Sequence, residues 1–230
     1  MLTLEKLRIE QGDFRLTADW SVPEGSITAI VGPSGGGKST LLSVIGGYFA
    51  ATAGRILWQA ADIGALPPGR RPVSTLFQDN NLFPHLTVAQ NVGLALRPDL
   101  RLTEEEKTQV EAALAEVGLA GFGARKPGTL SGGQASRAAL ARVLLQSRPI
   151  ILLDEPFSAL GPALRREMLG LVAEKLRGRT VLMVTHDPSD AREIAQRLVM
   201  IDSGVASVPV PIVEAFDQPS PALAGYLGQK

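Results

Sequence analysis

The chain has 230 residues and a mass of 24.3 kDa, enough for one large domain or two small ones, which excludes peptide toxins and disulfide-held mini-scaffolds. Hydrophobic residues at 45% and charged residues at 20% match an ordinary globular protein and exclude intrinsic disorder. Lys+Arg and Asp+Glu are both 23, so no basic excess favours nucleic acid or an anionic membrane, and the absence of cysteine removes disulfides, thiolate catalysis and Cys-based zinc sites.

The N-terminus alternates polar and apolar residues, with no secretory-signal core, and no run of about 18 apolar residues follows. Leu2, Leu4, Leu7 and Ile9, a turn at Gln11-Gly12-Asp13, then Phe14, Leu16, Ala18 and Trp20 predict an antiparallel hairpin. Trp20 and Trp58 are assigned to this β layer. Ile27 to Val31 reads as a buried strand, followed by a glycine-rich loop and an apolar helix from about Lys38 to Ile45.

Residues 60–72 form a Gly/Pro-marked connection, with Arg70 and Arg71 expected on a solvated surface, and Val73 to Phe77 reads as a strand ending at Gln78. Residues 84–147 are expected to form a helical insertion, with His85 in a loop. Its clearest helix runs from about Glu104 to Val117, with a Thr103/Glu106 capping box, an apolar stripe of Val110, Ala113, Leu114 and Val117, and a stop at Gly118.

A helix from about Gln134 to Gln146 comes next, then a strand Ile150 to Asp154. A helix from near Pro162 follows, with Leu164, Met168, Leu171 and Val172 facing inward. Strand Thr180 to Thr185, helix Ser189 to Gln196 and strand Leu198 to Ile201 complete the alternation. The pattern predicts an α/β fold: a mostly parallel sheet flanked by helices, with an N-terminal antiparallel β layer and a helical insertion, in a single domain over 1–230. The last 26 residues read as irregular, too short for a further regulatory domain.

Three segments carry chemistry. Gly32-Pro33-Ser34-Gly35-Gly36-Gly37-Lys38-Ser39-Thr40 fits the phosphate-binding P-loop and lies between a buried strand and a helix, as that chemistry requires. Glycines turn main-chain N–H groups toward phosphate, Lys38 reaches the β/γ-phosphates of a nucleotide such as ATP, and Ser39 is a Mg²⁺ ligand. The apolar strand ending in Asp154-Glu155 delivers one carboxylate suited to Mg²⁺ and a second suited to activating water. Leu130-Ser131-Gly132-Gly133-Gln134 opens a helix and forms a second Ser/Gly anion site. It is most simply explained if it reaches a nucleotide held by another copy of the chain.

In this order, the P-loop at 32–40, Gln78, the LSGGQ segment at 130–134, Asp154-Glu155 and His186 resemble the ATP-binding subunits of ABC transporters over nearly the whole chain. The resemblance implies a P-loop NTPase of the ABC type that hydrolyses ATP with Mg²⁺ in a head-to-tail dimer. It implies that Gln78 contacts Mg²⁺ or water and senses the membrane partner, that His186 contacts the γ-phosphate, and that Phe14 stacks on adenine, although a core-facing role for Phe14 fits equally well. Ser131, Gly132, Gly133 and Gln134 then face ATP on the opposing subunit. Implied partners are a second copy, transmembrane permease subunits and, indirectly, a periplasmic substrate-binding protein, with no nucleic acid, at the cytoplasmic face of the bacterial inner membrane.

The segment 65–92 resembles the thiamine-import branch, so thiamine and its phosphate esters are the expected cargo, with iron, molybdate or polyamine import as alternatives. Phe83, Leu86 and Val88 are candidate permease contacts. An ABC ATPase of DNA maintenance is disfavoured by the short insertion and balanced charge, and a GTPase by the lack of an Asn-Lys-x-Asp motif. Two departures from the family pattern stand out: Gly161 where an aspartate is usual, and Ala135-Ser136-Arg137 in place of Arg-Gln-Arg. Slower or less cooperative hydrolysis is the expectation from both.

Overall fold

The computed structural model describes residues 1–228; Gln229 and Lys230, the end of the expected 1–230 domain, lie outside the described residues. The chain divides into two compact units. Unit 1 comprises Met1–Val73, Pro149–Asp154 and the described part of Arg177–Lys230, and unit 2 comprises Ser74–Arg148 and Glu155–Leu176.

Unit 1 opens with strands β1 (Leu2–Gln11), β2 (Phe14–Val22) and β3 (Ile27–Val31), helix α1 (Lys38–Gly46), and strands β4 (Ala53–Trp58) and β5 (Ala61–Asp62). Strand β6 (Val73–Leu76) begins at its boundary. Unit 2 holds helices α2 (Val88–Gly93), α3 (Glu104–Glu116) and α4 (Gly132–Gln146). Strand β7 (Ile150–Asp154) returns to unit 1 and helix α5 (Pro162–Lys175) to unit 2. Strand β8 (Thr180–Val184), helix α6 (Pro188–Ile194), strands β9 (Arg197–Asp202), β10 (Val205–Ala206) and β11 (Val210–Pro211), and helices α7 (Ile212–Asp217) and α8 (Pro221–Tyr226) finish unit 1.

The strands of unit 1 lie in the order β5-β4-β1-β2-β10-β9-β3-β8-β7, with β11 on β9. Strands β9, β3, β8 and β7 run parallel, and β1, β2, β4 and β5 form the antiparallel layer. The hairpin closes through the pair Gln11 and Phe14, with Gly12 at φ 59 in the two-residue loop.

The apolar spacing in β1 breaks phase between Leu4 and Leu7, which would turn half the strand outward in a regular ladder. A bulge restores the phase: the register shifts between Leu4 and Leu7, Lys6 takes φ 45, and its N–H donates to Asp19 Oδ1 at 3.1 Å. Leu2, Leu4, Leu7 and Ile9 therefore all enter one buried cluster with Leu16, Trp20, Ile56 and Trp58. The α1 residues Leu41, Leu42 and Ile45 join it, as do alternate residues of the parallel strands, Ile30, Leu152, Leu182 and Val199. The intervening residues Ala29, Ile151, Met183 and Leu198 are equally buried on the opposite face, where α6 packs on β3.

In unit 2, α2, α3 and α4 pack on one another and α5 packs on α4. Helix α3 has the expected Thr103/Glu106 box and stops at Gly118 with φ 74. In α5, Met168, Leu169 and Val172 are buried and Leu164 and Leu171 are half-buried, so Leu169 joins the apolar face.

Several expectations are corrected. Arg71 is buried at 3% exposure, because its guanidinium closes the end of α1 as described below. Val88 is wholly buried in unit 2, which removes it as a surface contact, while Phe83 is exposed and Leu86 half-buried. Where irregular chain was expected, residues 205–226 form β10, β11, α7 and α8; Pro211 and Pro221 stand at helix starts, where a proline's missing N–H has no consequence, so they do not prevent the helices. Among the described residues, no helix is long and apolar enough to cross a membrane.

Candidate functional site

In unit 1 the loop after β3 turns on glycines that no other residue can replace. Gly32 has φ 150, and a Cβ there would lie 2.3 Å from Ile201 O; a Cβ on Gly37, at φ 98, would lie 2.5 Å from the Phe14 ring. Gly37 is the N-cap of α1, with no side-chain cap and no acidic residue in the first turn. The N-terminal N–H groups of α1 thus lack the side-chain acceptor that most helices supply, and no carboxylate opposes an anion there. Lys38 is buried, and its Nζ donates to Gly32 O at 2.8 Å and Pro33 O at 2.9 Å, which holds the ammonium against the loop.

Ser39 Oγ donates to Asp154 Oδ1 at 2.8 Å, bringing together a hydroxyl from the first turn of α1 and the carboxylate ending β7. A hydroxyl and one carboxylate, both hard oxygen donors, fit Mg²⁺, which is held through one or two carboxylates plus phosphate and water. Among the described residues no group of three or more His, Asp or Glu is arranged to hold a metal by itself, so phosphate and water would have to complete such a shell.

The sheet register brings His186 to the same edge. Val184 pairs with Ile30 on one side and Asp154 on the other, so the chain leaves β8 level with the ends of β3 and β7. Thr185, buried between them, donates through Oγ1 to Asp190 Oδ2 at 2.8 Å, and His186 follows on the surface. Phe14 is half-buried at the edge of the core cluster with its ring against Gly37, so it is both a core residue and a neighbour of the loop.

Unit 2 carries the remaining residues. Gln78 is exposed in a turn two residues beyond β6, with Nε2 3.5 Å from Ser158 Oγ. Ser158 Oγ in turn donates to Glu155 O at 3.1 Å. Glu155 has φ 44, a left-handed conformation that a non-glycine side chain rarely adopts and that concentrates at functional sites. Ser131 is the N-cap of α4: its Oγ accepts from Gln134 N–H, and Gln134 Oε1 accepts from Ser131 N–H at 3.0 Å. Gly133 is buried, and a Cβ there would meet Leu164 at 2.5 Å. Arg137, one turn along, bonds Val117 O at 2.6 Å and pairs with Glu167.

Sequence reasoning missed three organising side chains. Arg71 donates to Val44 O, Ile45 O, Gly64 O and Leu66 O at 2.6–2.8 Å, binding the C-terminal carbonyls of α1 to the connection that follows β5. Asn91, fully buried on α2, accepts from Phe83 N–H at 2.7 Å and donates to Thr87 O at 2.9 Å, shaping the loop with Phe83 and His85. The Val88 and Val92 that flank it in sequence were the available signal, since a polar residue on an apolar helix face needs nearby partners. Arg142 on α4 donates to Asn81 O at 2.8 Å and Asn80 O at 2.9 Å, fixing two consecutive left-handed residues just after Gln78.

Residues 17–158, more than half the chain, match the family model described as ABC transporter. The chain is 57% identical to the thiamine import ATP-binding protein ThiQ of Cereibacter sphaeroides over 99% of its own length and 100% of that protein. It is 54% identical to the ThiQ of Ruegeria sp. (strain TM1040), with the same coverage of each. Among solved structures, it is similar to a dimeric bacterial ABC transporter cassette at TM-score 0.79 and 30% identity, covering 92% of this chain and 99% of that one. A post-hydrolysis dimer of the same cassette, bound to ADP and Pi, gives the same values.

Proposed function

The chain belongs to the ABC transporter family, and from that premise we propose that it is the ATP-hydrolysing subunit of a bacterial importer that takes up thiamine and its phosphate esters. The observation that carries the ATP chemistry is the 2.8 Å bond between Ser39 and Asp154, at the head of a helix whose N-terminus has no side-chain cap. The cargo follows from the full-length relatives, which are named for thiamine import.

In this reading the main-chain N–H groups of residues 35–40 and the Lys38 ammonium hold the β/γ-phosphates, and the Phe14 ring stacks on adenine. Ser39 and Asp154, with Gln78, would hold Mg²⁺, which when bound neutralises charge on the β- and γ-phosphate oxygens. A Glu155 carboxylate oxygen takes the proton of the attacking water, while the His186 ring contacts the γ-phosphate. Ser131, Gly132, Gly133 and Gln134 face the nucleotide of a second copy, in keeping with the dimeric state of the solved relative. The chain then meets the inner membrane peripherally, on its cytoplasmic side, through permease subunits served by a periplasmic binding protein.

The test is ATP hydrolysis by the chain purified with its permease and binding protein in lipid. Thiamine should stimulate the rate, and Lys38→Ala should abolish both the rate and tight ATP binding. Stimulation by iron, molybdate or a polyamine in place of thiamine overturns the cargo, and retained ATP affinity in Lys38→Ala overturns the loop assignment.

A further inference from the structure

We propose that Tyr226, at the end of helix α8, is a positioning residue for His186, holding the main chain of that residue from the C-terminal side of the fold. The inference rests on the reading of His186 as a γ-phosphate contact. Its starting observation is that Tyr226 Oη donates to His186 O at 2.8 Å, across 40 positions of sequence.

The bond joins two elements that are each independently fixed. Helix α8 starts at Ser220, whose Oγ accepts from Leu223 N–H at 3.3 Å, and packs on β9 with Leu223 only 2% exposed. Tyr226 is three positions after Leu223, so both lie on the helix face turned toward the sheet. Strand β9 pairs with β3, which runs into the phosphate-binding loop, and β3 pairs with β8, which runs into His186.

On the other side, residues following His186 are tied down. Thr185 Oγ1 donates to buried Asp190 and accepts from Asp187 N–H at 3.1 Å, and Asp187 Oδ1 accepts from Ser189 N–H at 2.9 Å. His186 itself projects from this frame with an exposed side chain. Its main-chain carbonyl is held by a phenol, which restrains the peptide plane between His186 and Asp187; with Thr185 and Asp187 tied down on either side, this narrows the ψ range from which the Cα–Cβ bond leaves the chain. An imidazole that must meet one oxygen of a phosphate gains from that restriction, since ordering the loop in advance removes an entropic cost from the reacting state.

The variant that isolates the effect is Tyr226→Phe, which removes one oxygen and leaves the ring. In the full chain it should lower kcat for ATP about fivefold, the rate equivalent of one net hydrogen bond. KM for ATP should stay essentially unchanged, and the thermal midpoint should fall by no more than about 2–4 °C, the loss of one net hydrogen bond. Hydrogen exchange in the segment 184–190 should quicken, and in a His186→Gln background Tyr226→Phe should produce no further loss of rate.

A wild-type kcat with unaltered exchange in Tyr226→Phe overturns the proposal. An equal fold-loss in the His186→Gln background also overturns it, because the phenol would then act elsewhere. If His186→Gln alone hydrolyses ATP at the wild-type rate, the reading of His186 itself fails, an outcome distinct from failure of the Tyr226 contact.

Discussion

Burying a guanidinium is unfavourable unless its donors are met, and Arg71 meets them with main-chain carbonyls. Two of its acceptors, Val44 O and Ile45 O, are in the last turn of α1, where a helix leaves carbonyls unpaired and its dipole is negative. Burial pushes the Arg71 pKa below its ordinary value, opposed by the nearby Asp62, and the ordinary value is so high that the group stays cationic. Gly47, the C-cap at φ 86, leaves room for the guanidinium: a Cβ there would lie 2.6 Å from Arg71 Nε. Arg71→Met strands four acceptors and should destabilise unit 1 by about 3 kcal/mol. Arg71→Lys should lose less, because an ammonium retains the charge but cannot span the fork. Urea unfolding measures both, and a loss of under about 0.5 kcal/mol for Arg71→Met would return the residue to the class of ordinary surface arginines.

At the scale of elements, α2, α3 and α4 share one device, a reciprocal capping box: Thr87 with Gln90, Thr103 with Glu106 and Ser131 with Gln134. The box on α3 differs in carrying a titratable acid. A hydrogen bond from Thr103 N–H, then one from Arg97, hold the Glu106 carboxyl below its usual 4.5. A depressed folded-state pKa contributes stability that is present above about 4.5 and is lost as pH falls through the lower folded value. Glu106→Gln, which keeps the box in the form used by α2 and α4, should therefore be less stable than wild type at neutral pH. The difference should shrink as pH falls below 4.5 through the lower folded-state value, as followed by urea midpoints; a pH-independent difference would assign the effect to packing. Thr103/Glu106 was legible in the sequence because cap, box and apolar stripe all lie within one local stretch, and the glycine-rich loop between β3 and α1 was legible for the same reason. The Lys6 bulge was less so, since its signal was a single phase slip from Leu4 to Leu7. Arg71 and Tyr226 were not legible, because their acceptors are carbonyls at distant positions and a carbonyl has no signature in sequence. The C-terminal helices were hidden by prolines, which read as breakers in sequence but stand at helix starts in the fold.

For the whole molecule the central question is why one chain carries two glycine-bearing helix starts. Helix α1 has no side-chain cap and presents Lys38, so it is equipped to hold phosphate by itself. Helix α4 is capped by its own Ser131, yet that box engages only the N–H groups of Ser131 and Gln134. The N–H groups of Gly132 and Gly133 lie in the first turn, where a helix supplies no acceptor. The two starts also belong to different compact units, α1 to unit 1 and α4 to unit 2. A second copy facing the first head to tail would let each chain supply α1 to one nucleotide and α4 to the other, with closure requiring both nucleotides and hydrolysis releasing it. That arrangement makes a prediction no monomeric site shares. Chains carrying Lys38→Ala and chains carrying Ser131→Arg should each be inactive alone, the first for want of phosphate binding and the second because a guanidinium fills the space of the facing nucleotide. Mixed, they should form heterodimers with one site damaged twice and one intact, so that ATP hydrolysis returns in proportion to the heterodimer formed. If mixing restores nothing while heterodimers are detected by differential tagging, then each chain completes its own site and the capped turn at Ser131 is only a helix start.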